Sequence, residues 1–320
     1  MKTVCLLMSF MLILSGVSAQ ADQTPGPLTA HNLVYSPELE QVLLVNGAGS
    51  GADVEEDNAL WAWSGETWTL LSRNEIPGRV LAGTAYDLER DVLVVFGGSV
   101  SLTDRADDLW EWDGEGWTQS EAVAPQAPDH IAMVYDAARQ QSVIFSGVDP
   151  EGQLIDETWT WDGLSWERAE LDGERPEPRA HYAMVYDAAR EVVLLFGGVT
   201  QTSPATNDFW SWDGENWQQI ETETLPPVRD AARMVYDAVT ETVILFGGRN
   251  GRQMLGDMWA WDGEHWTELT PEERPSARAF HEMAYDAKRE TVVLYGGLSG
   301  RTTLGDLWEW DGESWTQIAF

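Results

Sequence analysis

The stretch from residue 192 to residue 217 decides the fold, because it carries two strand patterns separated by a glycine pair. It begins Val192-Val193-Leu194-Leu195-Phe196-Gly197-Gly198 and continues through Asp208-Phe209-Trp210-Ser211-Trp212-Asp213-Gly214 to Trp217. A short apolar run bounded by glycine favours a strand that is buried on both faces. The next two tryptophans are two residues apart, as on one face of a strand, and Asp213-Gly214 favours a turn into the following strand. With the run 183–187 before it, the stretch predicts four antiparallel strands.

The same pattern occurs six times along the chain. The eighteen tryptophans form six triplets with none left over, at 61/63/68, 110/112/117, 159/161/166, 210/212/217, 259/261/266 and 308/310/315. Successive triplets start 49, 49, 51, 49 and 49 residues apart, and a fixed period of about 50 residues is typical of repeat architectures. The predicted units are approximately 26–73, 77–121, 127–170, 176–221, 226–270 and 274–320.

Six such units predict a closed ring. One four-stranded sheet cannot cover both of its apolar faces, so neighbouring sheets must cover each other. A linear array would leave two apolar end faces exposed, and neither terminal unit carries polar substitutions suited to capping. We therefore predict an all-β fold, a six-bladed β-propeller of four-stranded antiparallel blades.

The pattern resembles the kelch repeat family, and within the galactose oxidase-like superfamily it is most similar to secreted bacterial kelch proteins. The shared motifs are Trp-Asp-Gly after the third strand, a Trp that opens the fourth, and Gly-Gly after the second strand, at 97/98, 197/198, 247/248 and 296/297. The first unit departs with Asn46-Gly47-Ala48 and Trp63-Ser64-Gly65, and the third with Ser146-Gly147. The resemblance implies kelch-type blades but no single function, since kelch propellers range from binding modules to oxidases. They often build one blade from both chain ends; here we predict no such exchange.

The charge excludes several classes of partner. Asp and Glu number 54 against 19 Lys and Arg, a formal charge of −35, whereas nucleic-acid binders need clustered basic residues. No basic run is present to hold an anionic membrane surface. The acidity suits either saline surroundings or cation binding. We expect no required cofactor and leave calcium open as a possible ligand. We also expect the protein to be a monomer.

The first 21 residues read as a signal peptide, with Lys2, an apolar stretch from Val4 to Val17, and cleavage after Ala19 or Ala21. The mature chain, 22–320, is then secreted, extracellular or periplasmic, with no membrane span after cleavage. The sole cysteine, Cys5, lies in this segment. The mature chain would therefore lack disulfides and the Tyr–Cys copper centre that the galactose oxidase resemblance implies.

Long irregular connections alternate with short repetitive ones, and alternate connections of a meander emerge on opposite faces. The long ones follow Gly-Gly or link successive units, at about 48–58, 99–107, 148–156, 199–207, 249–256 and 298–305, and at 70–79, 120–130, 169–180, 219–230 and 268–279. We call their side the long-loop face. Irregular loops on a rigid scaffold are the usual place for binding.

Two groups of charged residues are candidates for ligand binding. Arg79, Arg179, Arg229 and Arg278 each stand seven residues before the repeat Tyr. They could ring an anion, but their recurrence favours pairing with the Asp two residues before the first Trp of each triplet. The Asp residues of the Tyr-Asp pairs and Trp-Asp-Gly turns are interpreted as turn formers.

Residues that break the repeat are the second group: His31, His130, His181, His281, Asp129, Asp230, Arg233 and Glu282. His130 and His181 stand one residue earlier in their units than His31 and His281, so the two pairs should point to different faces. Their irregular spacing favours packing or hydrogen bonding over a metal site, and we assign no metal ligands and no catalytic residues.

Two functions remain open. The first is a non-enzymatic scaffold that binds a protein or a glycan through the long-loop face. The second is a carbohydrate-active propeller enzyme, like a sugar isomerase or mutarotase, with Glu282, His281 and His181 as acid/base groups in the channel. Clustering of the repeat-breaking residues in one pocket would favour the second.

Overall fold

The computed structural model describes residues 24–49, 58–101, 103–125, 129–149 and 151–319, so the predicted cleavage sites lie outside the described residues. All regular elements in this part of the chain are strands. They form six antiparallel sheets, each built on four main strands that lie in sequence order, and one sheet has an additional short strand. The predicted all-β, six-bladed propeller is therefore confirmed. Within these ranges no helix is long and apolar enough to cross a membrane.

We number the blades along the chain and the strands from the channel outward. The strands of each blade are, for blade 1, Asn32–Ser36, Gln41–Val45, Ala59–Trp63 and Trp68–Arg73; for blade 2, Gly83–Asp87, Val92–Phe96, Leu109–Trp112 and Trp117–Gln119; for blade 3, Met133–Asp136, Gln141–Phe145, Thr158–Trp161 and Trp166–Arg168; for blade 4, Ala183–Asp187, Val192–Thr200, Thr206–Trp212 and Trp217–Gln219; for blade 5, Arg233–Asp237, Thr242–Phe246, Met258–Trp261 and Trp266–Leu269; and for blade 6, Glu282–Asp286, Thr291–Tyr295, Leu307–Trp310 and Trp315–Ile318.

Short strands add to the long-loop face. Arg179–Ala180 pairs with the end of the second strand of blade 4. The other short strands pair with each other, Leu28–Thr29 with Ala48–Gly49, Arg249–Asn250 with Gln253–Met254, and Leu298–Ser299 with Thr302–Thr303. The last two pairs are hairpins that project from blades 5 and 6.

Apolar packing between blades closes the ring. Each first strand contacts the first strand of the next blade, and that of blade 6 contacts that of blade 1. Six buried clusters each join two neighbouring blades. In blade 5, Val243 and Leu245 pack toward blade 4, whereas Ile244 and Phe246 pack toward blade 6. A strand that faces a neighbour on each side is buried on both faces, which is why most positions of the second strands are apolar and do not alternate with polar ones.

A strap near the start of the described chain helps to close the ring between blades 6 and 1. The Leu28 N–H donates to the Leu304 carbonyl at 3.0 Å, and the Gly297 N–H donates to the Leu28 carbonyl at 2.8 Å. The Tyr295 hydroxyl donates to the Gly26 carbonyl. Blades 1 and 6 are each built from consecutive strands, so the ring closes by packing and this strap, without strand exchange.

A buried arginine ties the repeat motifs together in blades 2, 4, 5 and 6. In blade 5, the Arg229 guanidinium binds both oxygens of Asp257, at 3.0 and 2.6 Å, and donates to the Gly247 carbonyl at 2.9 Å. Asp257 also accepts from the Trp259 indole at 2.8 Å. We call this unit the arginine clamp; the equivalent pairs are Arg79–Asp108, Arg179–Asp208 and Arg278–Asp306.

The clamp also links neighbouring blades and explains the glycine pair. The carbonyl of Arg229 accepts from the Gly198 N–H of blade 4 at 2.9 Å. Gly197 has a φ of +66°, and a Cβ there would lie 2.7 Å from the same carbonyl. Only glycine allows so close an approach with this backbone conformation. Gly-Gly, Arg, Asp and the first Trp therefore form one structural unit.

Loss of a clamp arginine should lower the stability of the fold, whereas loss of an exposed arginine should not. We expect Arg229→Ala to lower the free energy of unfolding by about 3 kcal/mol, because it leaves the partly buried Asp257 carboxylate, 19% exposed, without its counter-ion. The exposed Arg252→Ala change serves as the control and should cost less than about 0.5 kcal/mol. Urea unfolding of both variants tests this, and equal losses would contradict a structural role for Arg229.

Candidate functional site

A channel of about 770 Å³ runs between the first strands of all six blades. At one end it is lined by the repeat tyrosines, Tyr35, Tyr86, Tyr135, Tyr186, Tyr236 and Tyr285. The long-loop end is formed by the equivalent residues just before the first strands. We call these the mouth residues: Ala30, Leu81, His130, His181, Ala231 and Phe280.

Two aspartates and two histidines meet at this mouth. His130 Nδ1 lies 2.7 Å from Asp129 Oδ1, and His181 Nδ1 lies 3.5 Å from Asp230 Oδ2. The two imidazole rings contact each other, with centroids 4.5 Å apart. Asp129 and Asp230 are buried. Four of the predicted repeat-breaking candidates therefore lie together at the mouth.

Arginines neutralise both of these aspartates. Arg105 Nε lies 3.1 Å from Asp129 Oδ2, and Arg249 Nε lies 2.9 Å from Asp230 Oδ2. Burial raises the pKa of Asp129, but the hydrogen bond and charge of His130, with Ser99 and Arg105, outweigh it, so the pKa is lowered. Asp129 is thus held as a carboxylate within an ion pair.

Arg233 and Glu282 form a second pair inside the channel. Arg233 Nε lies 2.5 Å from Glu282 Oε1, and both residues line the cavity. Burial raises the pKa of Glu282 despite the opposing charge and hydrogen bond of Arg233. This carboxyl group therefore takes up a proton at a higher pH than an exposed glutamate.

His31 and His281 lie elsewhere, between blades, as their different register predicts. Both are buried, and each ring packs edge-on against an aromatic ring, Tyr295 at 5.6 Å and Phe246 at 5.5 Å. Burial, followed by the charge of Arg233, lowers the pKa of His31 to about 3. Burial, followed by Arg278, also lowers the pKa of His281. These two side chains are packing residues.

The remaining candidates are used within the repeat. Arg79, Arg179, Arg229 and Arg278 are at most 1% exposed and sit in the clamps, so they form no ring around an anion; the alternative pairing with aspartate is the one observed. The turn aspartates accept backbone N–H groups, as Asp187 does from Arg190 and Asp213 from Asn216. Within the described ranges, no three His, Cys, Asp or Glu residues are placed to hold a metal ion.

The sequence reasoning missed three residues of the mouth: Arg105, Arg249 and Phe280. The Phe280 ring lies edge-on to His181 at 5.0 Å and under the Arg249 guanidinium at 4.9 Å. The arginines belong to irregular loops, where no period marks them. Phe280 stands where His130 and His181 stand in blades 3 and 4, and alignment of these units could have found it.

The buried histidines should make the fold sensitive to acid. A His whose pKa is lowered by folding destabilises the fold once the pH drops below the ordinary value of about 6.5, because the unfolded chain then binds more protons. For His31, the loss between pH 7 and pH 5 should be about 2 kcal/mol. We expect His31→Ile, which introduces the residue that blade 3 has at this position, to remove this loss.

The check is urea unfolding at pH 7 and pH 5, with the exposed His265→Gln variant as control. The control should retain the full pH dependence. If His31→Ile kept it as well, His31 would not be the neutral buried group that its packing implies.

Comparisons with known proteins agree with this architecture. The family model of the KLHDC2/KLHL20/DRC7 Kelch-repeats domain matches residues 139–320, more than half of the chain. The solved structure of YjhT has a TM-score of 0.69 and 16% identity, and the match covers 92% of this chain and 98% of that one, which shows a shared fold. No curated protein matches the chain. Its repeats, clamps and matched family model together show that the chain belongs to the KLHDC2/KLHL20/DRC7 Kelch-repeats domain family.

Proposed function

We propose that this protein is a secreted, non-enzymatic binding scaffold that engages a protein or a glycan through its long-loop face. The observation that carries the proposal is the division of its charged residues. Repeated charged residues are paired inside clamps and turns, whereas four of the repeat-breaking residues, two aspartates and two histidines, lie together at the mouth on the long-loop face. A rigid ring with a chemically irregular face is suited to recognition.

The pairing of the mouth charges favours binding over catalysis. General acid or base catalysis needs a group that can exchange a proton with a substrate. Asp129, Asp230 and Glu282 each lie against an arginine, at 3.1, 2.9 and 2.5 Å. The two aspartates are buried, so a ligand at the mouth would meet the partly exposed side chains of Arg105 and Arg249, 21% and 32% exposed.

Secretion is part of the proposal and is supported by the signal-peptide pattern of residues 1–21. The acidic composition is compatible with a saline exterior. A required metal is not proposed, and the binding experiment includes a chelator to test for calcium.

The projecting hairpins of blades 5 and 6 offer a direct test of the binding face. Their tips carry the exposed Arg252 and Arg301. We expect Arg252→Ala/Arg301→Ala to weaken partner capture from the native medium, or binding on a glycan array, at least ten-fold without changing Tm. The matched control is Leu88→Ala/Val239→Ala, at exposed turns at the opposite end of the first strands.

The control should bind like the wild type. Loss of binding in the control with full binding in the hairpin variant would place the interface on the opposite face and refute the proposal. Loss of binding in chelator alone would indicate a calcium-dependent site.

A carbohydrate-active acid/base enzyme is the second candidate, because Glu282 lines the channel and burial raises its pKa. Of the three expected acid/base groups, Glu282 and His181 line the channel, whereas His281 is buried against Phe246. Under it, Glu282→Gln should lower the rate of sugar anomer exchange, followed by NMR, at least 100-fold. Absence of exchange by the wild-type protein across a panel of aldoses and sugar acids would remove this candidate.

A further inference from the structure

The mouth residues form a ring of backbone hydrogen bonds that is open at one point. All six have left-handed φ values, from 54° to 59°. In five seams between blades, the N–H of one mouth residue donates to the carbonyl of the mouth residue in the preceding blade. These bonds are Ala30 to Phe280 (3.2 Å), Leu81 to Ala30 (3.3 Å), His130 to Leu81 (3.1 Å), Ala231 to His181 (2.7 Å) and Phe280 to Ala231 (3.1 Å). Both His130 and His181 are described, yet no such bond joins them.

The same seam, between blades 3 and 4, also differs from other seams in the hydrogen bonds made at the glycine pair. In four other seams, the N–H of the second glycine position donates to a carbonyl of the next blade; the bonds are Gly47 to Arg79 (3.1 Å), Gly198 to Arg229 (2.9 Å), Gly248 to Arg278 (2.8 Å) and Gly297 to Leu28 (2.8 Å). Between blades 3 and 4, the Ser146 hydroxyl lies instead between the Arg179 N–H and carbonyl, at 2.8 and 2.9 Å. A side chain thus replaces a direct backbone link.

Two imidazoles fill the opened mouth of this seam. The rings of His130 and His181 lie 4.5 Å apart at 44° to each other. Asp129, with Ser99 and Arg105, faces His130, while Asp230, Arg249 and the Phe280 edge face His181. Each carboxylate is already shared with an arginine. The surroundings therefore have little capacity to balance two additional positive charges.

We propose that the seam between blades 3 and 4 is a proton-operated hinge of the ring, closed when the imidazoles are neutral and loosened when both carry protons. Two protonated rings place like charges in contact. The other seams have direct backbone bonds between mouth residues and no such pair of rings, so protonation should loosen them less over the same pH range. The hinge goes beyond the proposed binding function, because it follows from the seam itself.

The surroundings of His181 hinder its protonation. Burial lowers the pKa of His181, the charge of His130 lowers it further, Arg249 acts in the same direction, and Asp230 opposes them. The pKa of His181 is therefore lowered from the ordinary histidine value near 6.5. Loosening should begin below that pH and widen the mouth at the long-loop face.

Hydrogen exchange at equivalent amides tests the hinge in the full mature chain. The Arg179 N–H bonds Ser146 across this seam, and the Arg278 N–H bonds the Leu255 carbonyl across the seam between blades 5 and 6. Between pH 7.5 and pH 5.5, we expect the protection factor of the Arg179 amide to fall about ten-fold more than that of the Arg278 amide. A global loss of stability would lower both alike.

The control variant is His130→Asn/His181→Asn, since asparagine tolerates left-handed backbone and does not titrate. It should abolish the difference between the two amides. Equal responses in the wild type, or an unchanged difference in the double variant, would overturn the hinge.

A second measurement tests the proposal even if the double variant does not fold. In His130→Asn, NMR titration of His181 should show proton affinity raised at least three-fold, because a like charge has been removed. An unchanged His181 midpoint would mean that the two rings are not coupled and would also refute the proposal.

Discussion

The buried pairing of arginine with aspartate is the interaction on which the rest of the structure depends. A guanidinium at most 1% exposed needs acceptors for its N–H groups, and each clamp supplies one carboxylate, one glycine carbonyl and the backbone carbonyl two residues before the arginine. The carboxylate accepts from the indole of the first Trp, and the glycine carbonyl accepts from the guanidinium. The backbone carbonyl of the arginine accepts a hydrogen bond from the preceding blade. The clamps thereby add specific hydrogen bonds and ion pairs to seams between blades that are otherwise packed by apolar side chains.

Blades 1 and 3 show what happens where the clamp is missing. Both have a non-glycine residue with positive φ at the first glycine position, Asn46 at 64° and Ser146 at 57°. In blade 1 the seam to blade 2 keeps its direct backbone link from Gly47. In blade 3 the serine hydroxyl takes over, and the seam to blade 4 is the one that carries two histidines. The two histidines at the mouth thus occur at the seam next to a blade that lacks both the clamp and the first glycine of the repeat.

The sequence was sufficient for the fold and for part of the site. Six tryptophan triplets in register require six equivalent sheets, and the spacing of Asp before Trp identified the partners of the four buried arginines. Register also separated His130 and His181 from His31 and His281, because one residue along a strand reverses the face. The partners Arg105 and Arg249 could not be predicted, since they belong to loops whose path depends on the whole ring. The same holds for Ser146, whose role depends on contact with the next blade.

A double-mutant cycle on Arg229 and Asp257 tests most directly whether repeated charges serve the ring. The free energies of unfolding of Arg229→Ala, Asp257→Ala and the double variant would be compared with that of the wild type. We predict a coupling of at least about 2 kcal/mol, with the double variant losing much less than both single variants together. Additive losses would show that the two side chains act independently and would contradict the clamp as the organising element of the propeller.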